Sequence, residues 1–560
     1  MLFVYKYDFS IVMGYYNRKM QTIRTLNYFE ENYKKYNYEV VIVDDNSVDE
    51  EKLDDIVNNY TFPIKYIKIS ADEKGNRINP CVTYNKGFYN AEGKYVIIQN
   101  PECIHVGDIL GYVKDNLTYD EYIAFSCYNC SSNELTEMLL KNISLINDVN
   151  FNNANYFQWY NHPKIRPVHY HFCAAIMNDN LKILGGFNEE FKKGHSYDDN
   201  EILLSIKNNL QLNIRSIDPN DSGGSFVIHQ WHSRDAESKL NKNQINIMLH
   251  HNKNLYQKYL DNSKKYNFNF PRLLHLYWDG SLFSYLNLLT VISFNNYHIG
   301  WKINIYKPYK KNEKITWIGP EQKDKYNGKD YFDELYKIDN VKIHIIDTNN
   351  LSFKYKDASE VIKSDFFRIY ILNKYGGIWS DFDIIYTNNI EKYYDSKINN
   401  EKQIILYRYK WEEANKNVYP VGLFISKKNN SIFKNILENI EIFYNENYYQ
   451  CLGTQMFENI FEKYKYNDVL KKILFSMNLK ELMIDNSDCY LKIKWNELEI
   501  LYNDENENIQ NYENNNNIIG IHWFNGAKMS KDYCNNLNIN ELKTKKSKCL
   551  IDKFVKKYIK

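Results

Sequence analysis

Twice along this chain a regular alternation of strand-like and helix-like runs begins afresh, and that repetition limits the fold more than any other feature. In the first hundred residues the runs SIVMGYY, EVVIVDD, IKYIKIS and KYVIIQN are short, apolar and rich in β-branched residues. Helical patterns lie between them, over 19–36, 49–59 and 81–91. Such βαβα order predicts a mostly parallel sheet with helices on both faces. From residue 271 the same grammar restarts, with strands at RLLHLYW, KINIYKP, VKIHIID and GIWSDFDIIY. Helical patterns at SLFSYLNLLTVISFNNYH and ASEVIKSDFFRIYILNKYG accompany them. The polar stretch HHNKNLYQKYLDNSKKYNFNFP separates the halves, so the expected domains are 1–264 and 265–560. The Asn-rich acidic stretch 503–517 reads as a loop and the basic tail 543–560 as a surface helix. Folds of this class bind ligands outside the carboxyl ends of their strands, which directs attention to the residues there.

Length fits two domains, because 560 residues exceed what one ordinary core holds. Lys and Arg number 71 against 70 Asp and Glu, so net charge offers no pull toward nucleic acid or an anionic membrane. Nine Cys are scattered without a framework, and Cys127 and Cys130 form a lone CxxC with no second pair for zinc. Reduced thiols and a cytoplasmic location are expected. The N-terminus is broken by Lys6 and Asp8 and reads as a strand, not a signal peptide. No window approaches the roughly 18 uncharged apolar residues of a membrane span.

In the first half, Tyr16-Asn17-Arg18 ends one strand and Asp44-Asp45 the next. Ser47 and Glu50 fit a capping box for the helix expected after it, which explains the serine but not two adjacent acids. Asn85-x-Gly87-x3-Ala91-x-Gly93 precedes KYVIIQN. In order and spacing, residues 8–235 resemble the nucleotide-binding half of inverting glycosyltransferases of family 2. The resemblance implies Asp45, with Asp44 beside it, on the uridine and Arg77 near base or diphosphate. That family closes the last strand with Asp-x-Asp, whereas this chain has Asn100-Pro101-Glu102. Asn100 and Glu102 are both oxygen ligands and could still hold a hard cation, with less negative charge. Equally, the domain could have lost its metal. Gly185-Gly186-Phe187 leads to Asp198-Asp199, which resembles the acceptor-side, galactosyltransferase-like segment of these enzymes. The resemblance assigns an acid here as general base, Asp199 ahead of Asp198; the simpler reading has both acids serving the positive end of a helix. His229 and His232 lie three apart, with His229 favoured as a further metal ligand.

In the second half, Ser380-Asp381-Phe382-Asp383 stands out. On a strand, residues two apart share a face, so Asp381 and Asp383 could grip one Mn²⁺ or Mg²⁺ bridging two phosphates. Asp365 and Arg368, three apart on a predicted helix, could hold sugar hydroxyls or simply pair on the surface. Tyr375-Gly376-Gly377 turns the helix back into the acidic strand. The run KSDFFRIYILNKYGGIWSDFD closely resembles the sugar-binding region of glycosyltransferase family 32, and the likeness spans roughly 271–530. It implies a retaining transfer, with His275 and Trp278 against the nucleotide sugar, Asp365 and Arg368 on the sugar, and Asp381, Asp383 and His522 on the metal. Gly453-Thr454-Gln455 is placed on the acceptor side.

Together these resemblances imply two tandem α/β domains of GT-A type, Rossmann-like nucleotide-diphospho-sugar transferase folds. The expected protein is a metal-dependent, bifunctional glycosyltransferase moving sugars from nucleotide donors, UDP-sugars by preference, to a glycan or protein acceptor. The alternative keeps only the second domain catalytic, with the first a degenerate sugar- or acceptor-binding module.

Overall fold

A computed structural model describes residues 3–141, 158–220, 223, 225–233, 240–315, 325–348, 354 and 356–559. The chain divides into two compact units, residues 3–261 and 262–560. Both are mixed α/β with Rossmann-like sheets. Among the described residues no helix is long and apolar enough to cross a membrane. All nine cysteines are buried and free.

The first unit contains β1 (Tyr7–Tyr15), β2 (Tyr38–Asp44), β3 (Ile64–Lys68), β4 (Gly93–Gln99), β5 (Cys103–Val106), β6 (Glu121–Phe125), β7 (Cys127–Asn129), β8 (Trp159–Asn161), β9 (Cys173–Met177), β10 (Asn213–Ile217) and β11 (Phe226–His229). Seven of them form one sheet in the order β10-β6-β9-β4-β1-β2-β3. Pairing from β3 to β4 is parallel throughout, and β9 runs antiparallel to both neighbours. Every residue of β2 is buried, as its unbroken VVIV run requires of a strand covered on both faces. The helices α1 (Lys19–Asn32) and α2 (Cys81–Asn90) connect the parallel strands. Gly87 lets α2 lie close on β1, since a Cβ there would come within 2.4 Å of the Val12 side chain. Later come α3 (Asp198–Asn208) and α4 (Lys242–Lys264). The polar stretch read as a linker is thus largely helix.

The second unit has β12 (Leu273–Tyr277), β13 (Lys302–Pro308), β14 (Val341–Ile346), β15 (Gly377–Ser380), β16 (Ile384–Tyr386), β17 (Ile404–Trp411), β18 (Lys416–Val418), β19 (Leu423–Ser426), β20 (Leu482–Asn486) and β21 (Gly520–His522). Its main sheet runs β14-β13-β12-β15-β19-β17-β18, with β20 added on β17. Four parallel strands again meet an antiparallel one, here β19. Three helices matter below: α5 (Tyr285–Tyr297), α6 (Glu360–Tyr375) and α7 (Thr454–Glu462).

Several local expectations change. The helix expected over 49–59 is two 3₁₀ turns, Asp49–Glu51 and Val57–Asn59. Ser47 does not cap them, because its Oγ accepts the Asn17 amide and its own amide is held by Asp44 Oδ1. GIWSDFDIIY is not one strand but β15 and β16 with a turn between. The basic tail forms a helix over Leu550–Tyr558 that buries Leu550, Ile551, Phe554 and Val555 in the core. The 503–517 loop contains one helical turn, Gln510–Glu513.

Candidate active sites

In the first unit the acidic residues after β2 separate into two roles. Asp44 is consumed by the fold: it accepts the Tyr66 hydroxyl at 2.5 Å and the Ser47 amide at 2.8 Å. Asp45 faces cations instead, pairing with Arg77 and lying 3.4 Å from Lys74. Lys74 also sits 3.5 Å over the Tyr16 ring. Asp45 and Arg77 are therefore neighbours, as one nucleotide subsite would require.

Asn100-Pro101-Glu102 forms a turn between β4 and β5. Because β5 pairs antiparallel with β11, with Cys103 opposite His229, the histidine lands beside Glu102. His229 Nε2 is 3.2 Å and His232 Nε2 3.3 Å from Glu102 Oε1. Among the described residues this is the one group of three such side chains whose ligand atoms all lie within 4.8 Å of one another. Burial alone would raise the Glu102 carboxyl, but the two imidazoles outweigh it and hold the group well below the usual range. Two imidazoles and a carboxylate form a donor set that fits a divalent transition metal. Asn100, expected as a ligand, has its Oδ1 on the Tyr84 hydroxyl at 3.0 Å, and His232 joins His229 beside Glu102.

A cavity of about 680 Å³ opens here, lined among others by Tyr16, Asn100, Glu102, His171, Asp198 and Asp199. The two aspartates open α3 directly after two left-handed residues, Ser196 (φ 57) and Tyr197 (φ 66). Each such residue costs about 1–3 kcal/mol, so the surroundings must hold it. Asn79 donates to Asp198 Oδ1 at 2.9 Å, and Asn252, the buried residue of α4, donates to the Ser196 carbonyl at 2.7 Å. Burial, reinforced by the charge of Asp199, pushes Asp198 up to about 6. Asp199 is more exposed and contacts His171, Oδ1 to Nδ1, at 2.5 Å. His171 was absent from the sequence reading; its only signal is the His-x-His pattern with His169 just ahead of β9. The Gly185-Gly186-Phe187 turn is tied to α2 by Asn85, which exchanges hydrogen bonds of 2.9 and 2.8 Å with the Phe187 backbone.

The second unit repeats the device. Asp381-Phe382-Asp383 lies in the turn between β15 and β16, so strand alternation does not aim its carboxylates; separate anchors do. Asp381 is fixed by its amide to the Gly422 carbonyl at 2.8 Å, and the Trp379 indole donates to its Oδ1 at 3.0 Å. The Phe382 carbonyl accepts from Asn287 and Thr290 of α5, both at 3.0 Å. Asp383 Oδ2 accepts the Asn525 amide at 3.0 Å. β16 pairs antiparallel with β21, with Ile384 opposite His522, which brings His522 Nε2 within 3.1 Å of Asp383 Oδ1. Burial and Asp383 push Asp381 up, against Arg368. For Asp383 the upward push of burial is outweighed by His522 and the Asn525 amide, which leave it lowered. Apart from that His522 contact, Asp383 Oδ1 meets no donor among the described residues, and a Cβ on Gly422 would meet both Asp381 Oδ2 and His522 Nε2, at 3.3 and 3.6 Å. Asp381, Asp383 and His522 thus offer converging oxygen and nitrogen donors that fit a divalent cation, though less tightly clustered than the Glu102 group.

Asp365 and Arg368 project from α6 and are buried, with Arg368 2.9 Å from Asp365 and 3.7 Å from Asp381. The guanidinium lies 5.1 Å over the Trp379 ring. Neither carboxylate oxygen of Asp365 has a hydrogen-bond donor among the described residues. Burial, only partly offset by Arg368, pushes the group up to about 7. It faces Gly453 at the start of α7, where a Cβ would come within 2.7 Å of Oδ2. Trp278 packs edge-on against Phe382 at 5.6 Å. His275, expected on the nucleotide sugar, is instead fully buried, its nitrogens on the Tyr306 hydroxyl at 2.9 Å and the Gly376 carbonyl at 3.0 Å. It pins the turn behind the site, and burial pushes it down to about 3.

Both units thus place an acidic turn at the end of a parallel strand, with a histidine brought up by an antiparallel partner. Residues 10–183 match the model of glycosyl transferase family 2, and residues 319–405 match the glycosyltransferase sugar-binding region containing the DXD motif. The chain therefore carries a family 2 segment in its first unit and a DXD sugar-binding segment in its second. Glu102, Asp365, Arg368, Asp381 and Asp383 fall inside the matched ranges; Asp198, Asp199, His229, His275, Trp278 and His522 fall outside. Comparison with curated proteins found no match. Similar solved structures include S. aureus TarS 1–349 in complex with UDP-GlcNAc, 15% identical, covering 42% of this chain and 61% of that one, TM-score 0.29. A second is the mannosyltransferase PcManGT from Pyrobaculum calidifontis in complex with GDP-Man and Mn²⁺, 16% identical, covering 43% and 63%, TM-score 0.28. The PaToxG glycosyltransferase is 18% identical, covering 41% and 85%, TM-score 0.24. The chain spans 37% of the longer TarS structure. At these TM-scores the likenesses carry no argument about this chain.

Proposed function

We propose that the protein is a bifunctional glycosyltransferase, its first unit inverting and its second retaining, each using a nucleotide-sugar donor. What supports this most is the recurrence, in two compact units, of an acid and a histidine at the same place in the chain path: Glu102 with His229, and Asp383 with His522. A divalent cation, Mn²⁺ or Mg²⁺, held by Glu102, His229 and His232, and another held by Asp381, Asp383 and His522, would neutralise charge on the departing diphosphate.

In the first unit Asp45 and Arg77 are placed to receive the nucleotide, a uridine one by preference. The acceptor hydroxyl would enter the cavity beside Asp199. Its oxygen bonds to the anomeric carbon as the bond from that carbon to the diphosphate breaks, the electron pair leaving with the diphosphate. The attack comes from the face opposite the departing diphosphate, which inverts the anomeric configuration, and the hydroxyl proton passes to Asp199. In the second unit Asp365 and Arg368 hold sugar hydroxyls through a buried acceptor and donor pair. The acceptor is a glycan or protein hydroxyl.

Transfer from labelled nucleotide sugars with Mn²⁺ tests the reading, using Asp381→Ala/Asp383→Ala and Asp199→Ala. Each change is expected to remove one anomeric product and spare the other. If the double variant abolishes all transfer and Asp199→Ala changes nothing, the first unit is a binding module only.

A further inference from the structure

Two adjacent carboxylates at the mouth of one cavity cannot serve as interchangeable proton acceptors, because like charges in a desolvated site push one another toward neutrality. The first unit resolves the choice by geometry. Asp198 is buried, with Oδ1 accepting from the Asn79 side-chain amide at 2.9 Å. Asp199, which lines the same cavity, is the more exposed of the two and meets His171, whose Nδ1 is 2.5 Å from Asp199 Oδ1.

The His171 ring is not free to choose its partner. Tyr84 packs edge-on against it at 4.8 Å and Phe187 at 5.0 Å. One side of that wall comes from α2 and the other from the Gly-Gly-Phe turn that Asn85 fastens to α2. The neighbouring residues are matched as well, since Asn200 donates to the Tyr170 hydroxyl at 3.0 Å. The pair 170–171 therefore meets 199–200 in register, while Asn252 and Asn79 hold the strained turn on the other side.

We propose that His171 is the positioning residue for Asp199: it clamps one carboxylate oxygen and leaves the other to the cavity, which selects Asp199 over Asp198 as proton acceptor. The inference rests on the inverting reading of the first unit. During transfer His171 keeps its proton, and the proton of the acceptor hydroxyl goes to Asp199 as the anomeric carbon exchanges diphosphate for the acceptor oxygen. The titratable groups around the ring are Asp198 and Asp199 from α3 and Tyr84 from α2. Burial works against a charge on His171, but the Asp199 carboxylate outweighs it and pushes the imidazole up. Asp198, pushed up to about 6, takes up a proton more readily than an ordinary aspartate.

Two measurements on the full chain test this. The first is a ring-¹⁵N histidine titration by NMR, with the His171 signal assigned by its loss in His171→Gln. The signal is expected to titrate above the usual imidazole range in the wild type and to fall below it in Asp199→Asn. An unchanged titration in Asp199→Asn overturns the clamp, whatever the enzyme does. The second follows the anomer released when UDP-glucose, UDP-galactose and UDP-GlcNAc are hydrolysed in turn with Mn²⁺, water standing in for the acceptor. His171→Gln is expected to slow release of the inverted anomer about 100-fold in kcat, as a misplaced reacting group does, with donor KM little changed and a shifted pH profile. If wild type releases no inverted anomer, the inverting reading fails and the inference falls with it. If wild type releases it and His171→Gln matches wild type in kcat and pH profile, the inference alone is overturned.

Discussion

His229 Nε2 lies 3.2 Å from Glu102 Oε1 because an antiparallel pairing sets His229 opposite Cys103, the residue after the glutamate. In the second unit His522 lies 3.1 Å from Asp383 and opposite Ile384, again the residue after the acid. Both acids stand in a turn just past a parallel strand, β4 or β15. Two sequences with different acids have thus arrived at one way of bringing an imidazole onto a carboxylate.

Replacing Glu102 with Gln should weaken Mn²⁺ binding at the first unit. The carboxylate charge is lost while two imidazoles and an uncharged amide oxygen remain, and loss of even an outer partner commonly lowers affinity about 10–100-fold. Calorimetric titration of Mn²⁺ into the variant is expected to show at least that loss. Asn100→Ala is expected to change the affinity much less, because the Asn100 amide oxygen is already engaged by the Tyr84 hydroxyl.

Asp365 carries a pH signature. Its folded value, pushed up to about 7, lies above the ordinary carboxylate range, so the folded chain takes up its proton more readily than the unfolded one. The resulting stability is fully present below about pH 4 and is lost as pH rises through about 7. Asp365→Asn removes this titration and should therefore gain on the wild type between pH 5 and pH 8.5 in urea midpoint. Formation of the retained anomer should rise through pH 7 in the wild type, as the carboxylate able to accept sugar hydroxyls forms.

Gly453→Ala should damage the sugar site without touching the acidic turn. The added methyl meets Asp365 Oδ2 at 2.7 Å, and overpacking of a buried site typically costs about 1–3 kcal/mol. The expected outcome is a raised donor KM for the retained product with Mn²⁺ affinity unchanged, measured by steady-state kinetics and calorimetry.

Asn85→Ala should loosen the first unit. It leaves the Phe187 amide and carbonyl without their partner, at a cost of about 1–3 kcal/mol for buried groups. Hydrogen exchange is expected to accelerate at residues 185–190 and in the first turn of α3, ahead of any change in β1 or β2.

The strands carrying the sites were readable because buried runs such as VVIVDD and the opening of GIWSDFDIIY leave little else for the backbone to do. Asp365, Arg368, Asp381 and Asp383 are grouped through the resemblance of the run that carries them, and one helix and one tight turn do link them. The partners arriving from distant chain were harder. His171 carries no mark beyond a His-x-His pattern, and nothing local shows that Phe187 and Tyr84 will aim its ring. That Glu102 meets both His229 and His232 depends on the β5–β11 register, which no local pattern encodes. His275 misled because a histidine inside an apolar strand can satisfy both nitrogens in the core, and Tyr306 and Gly376 supply the partners.

The central claim is that each unit holds its own nucleotide-diphosphate site. Calorimetric titration of UDP, and separately GDP, into the full chain with Mn²⁺ tests it most directly. Two binding sites are expected per chain, falling to one in Glu102→Gln and to one in Asp383→Asn. A single site that survives Glu102→Gln unchanged and vanishes in Asp383→Asn would contradict the account, leaving the first unit without a nucleotide to work on.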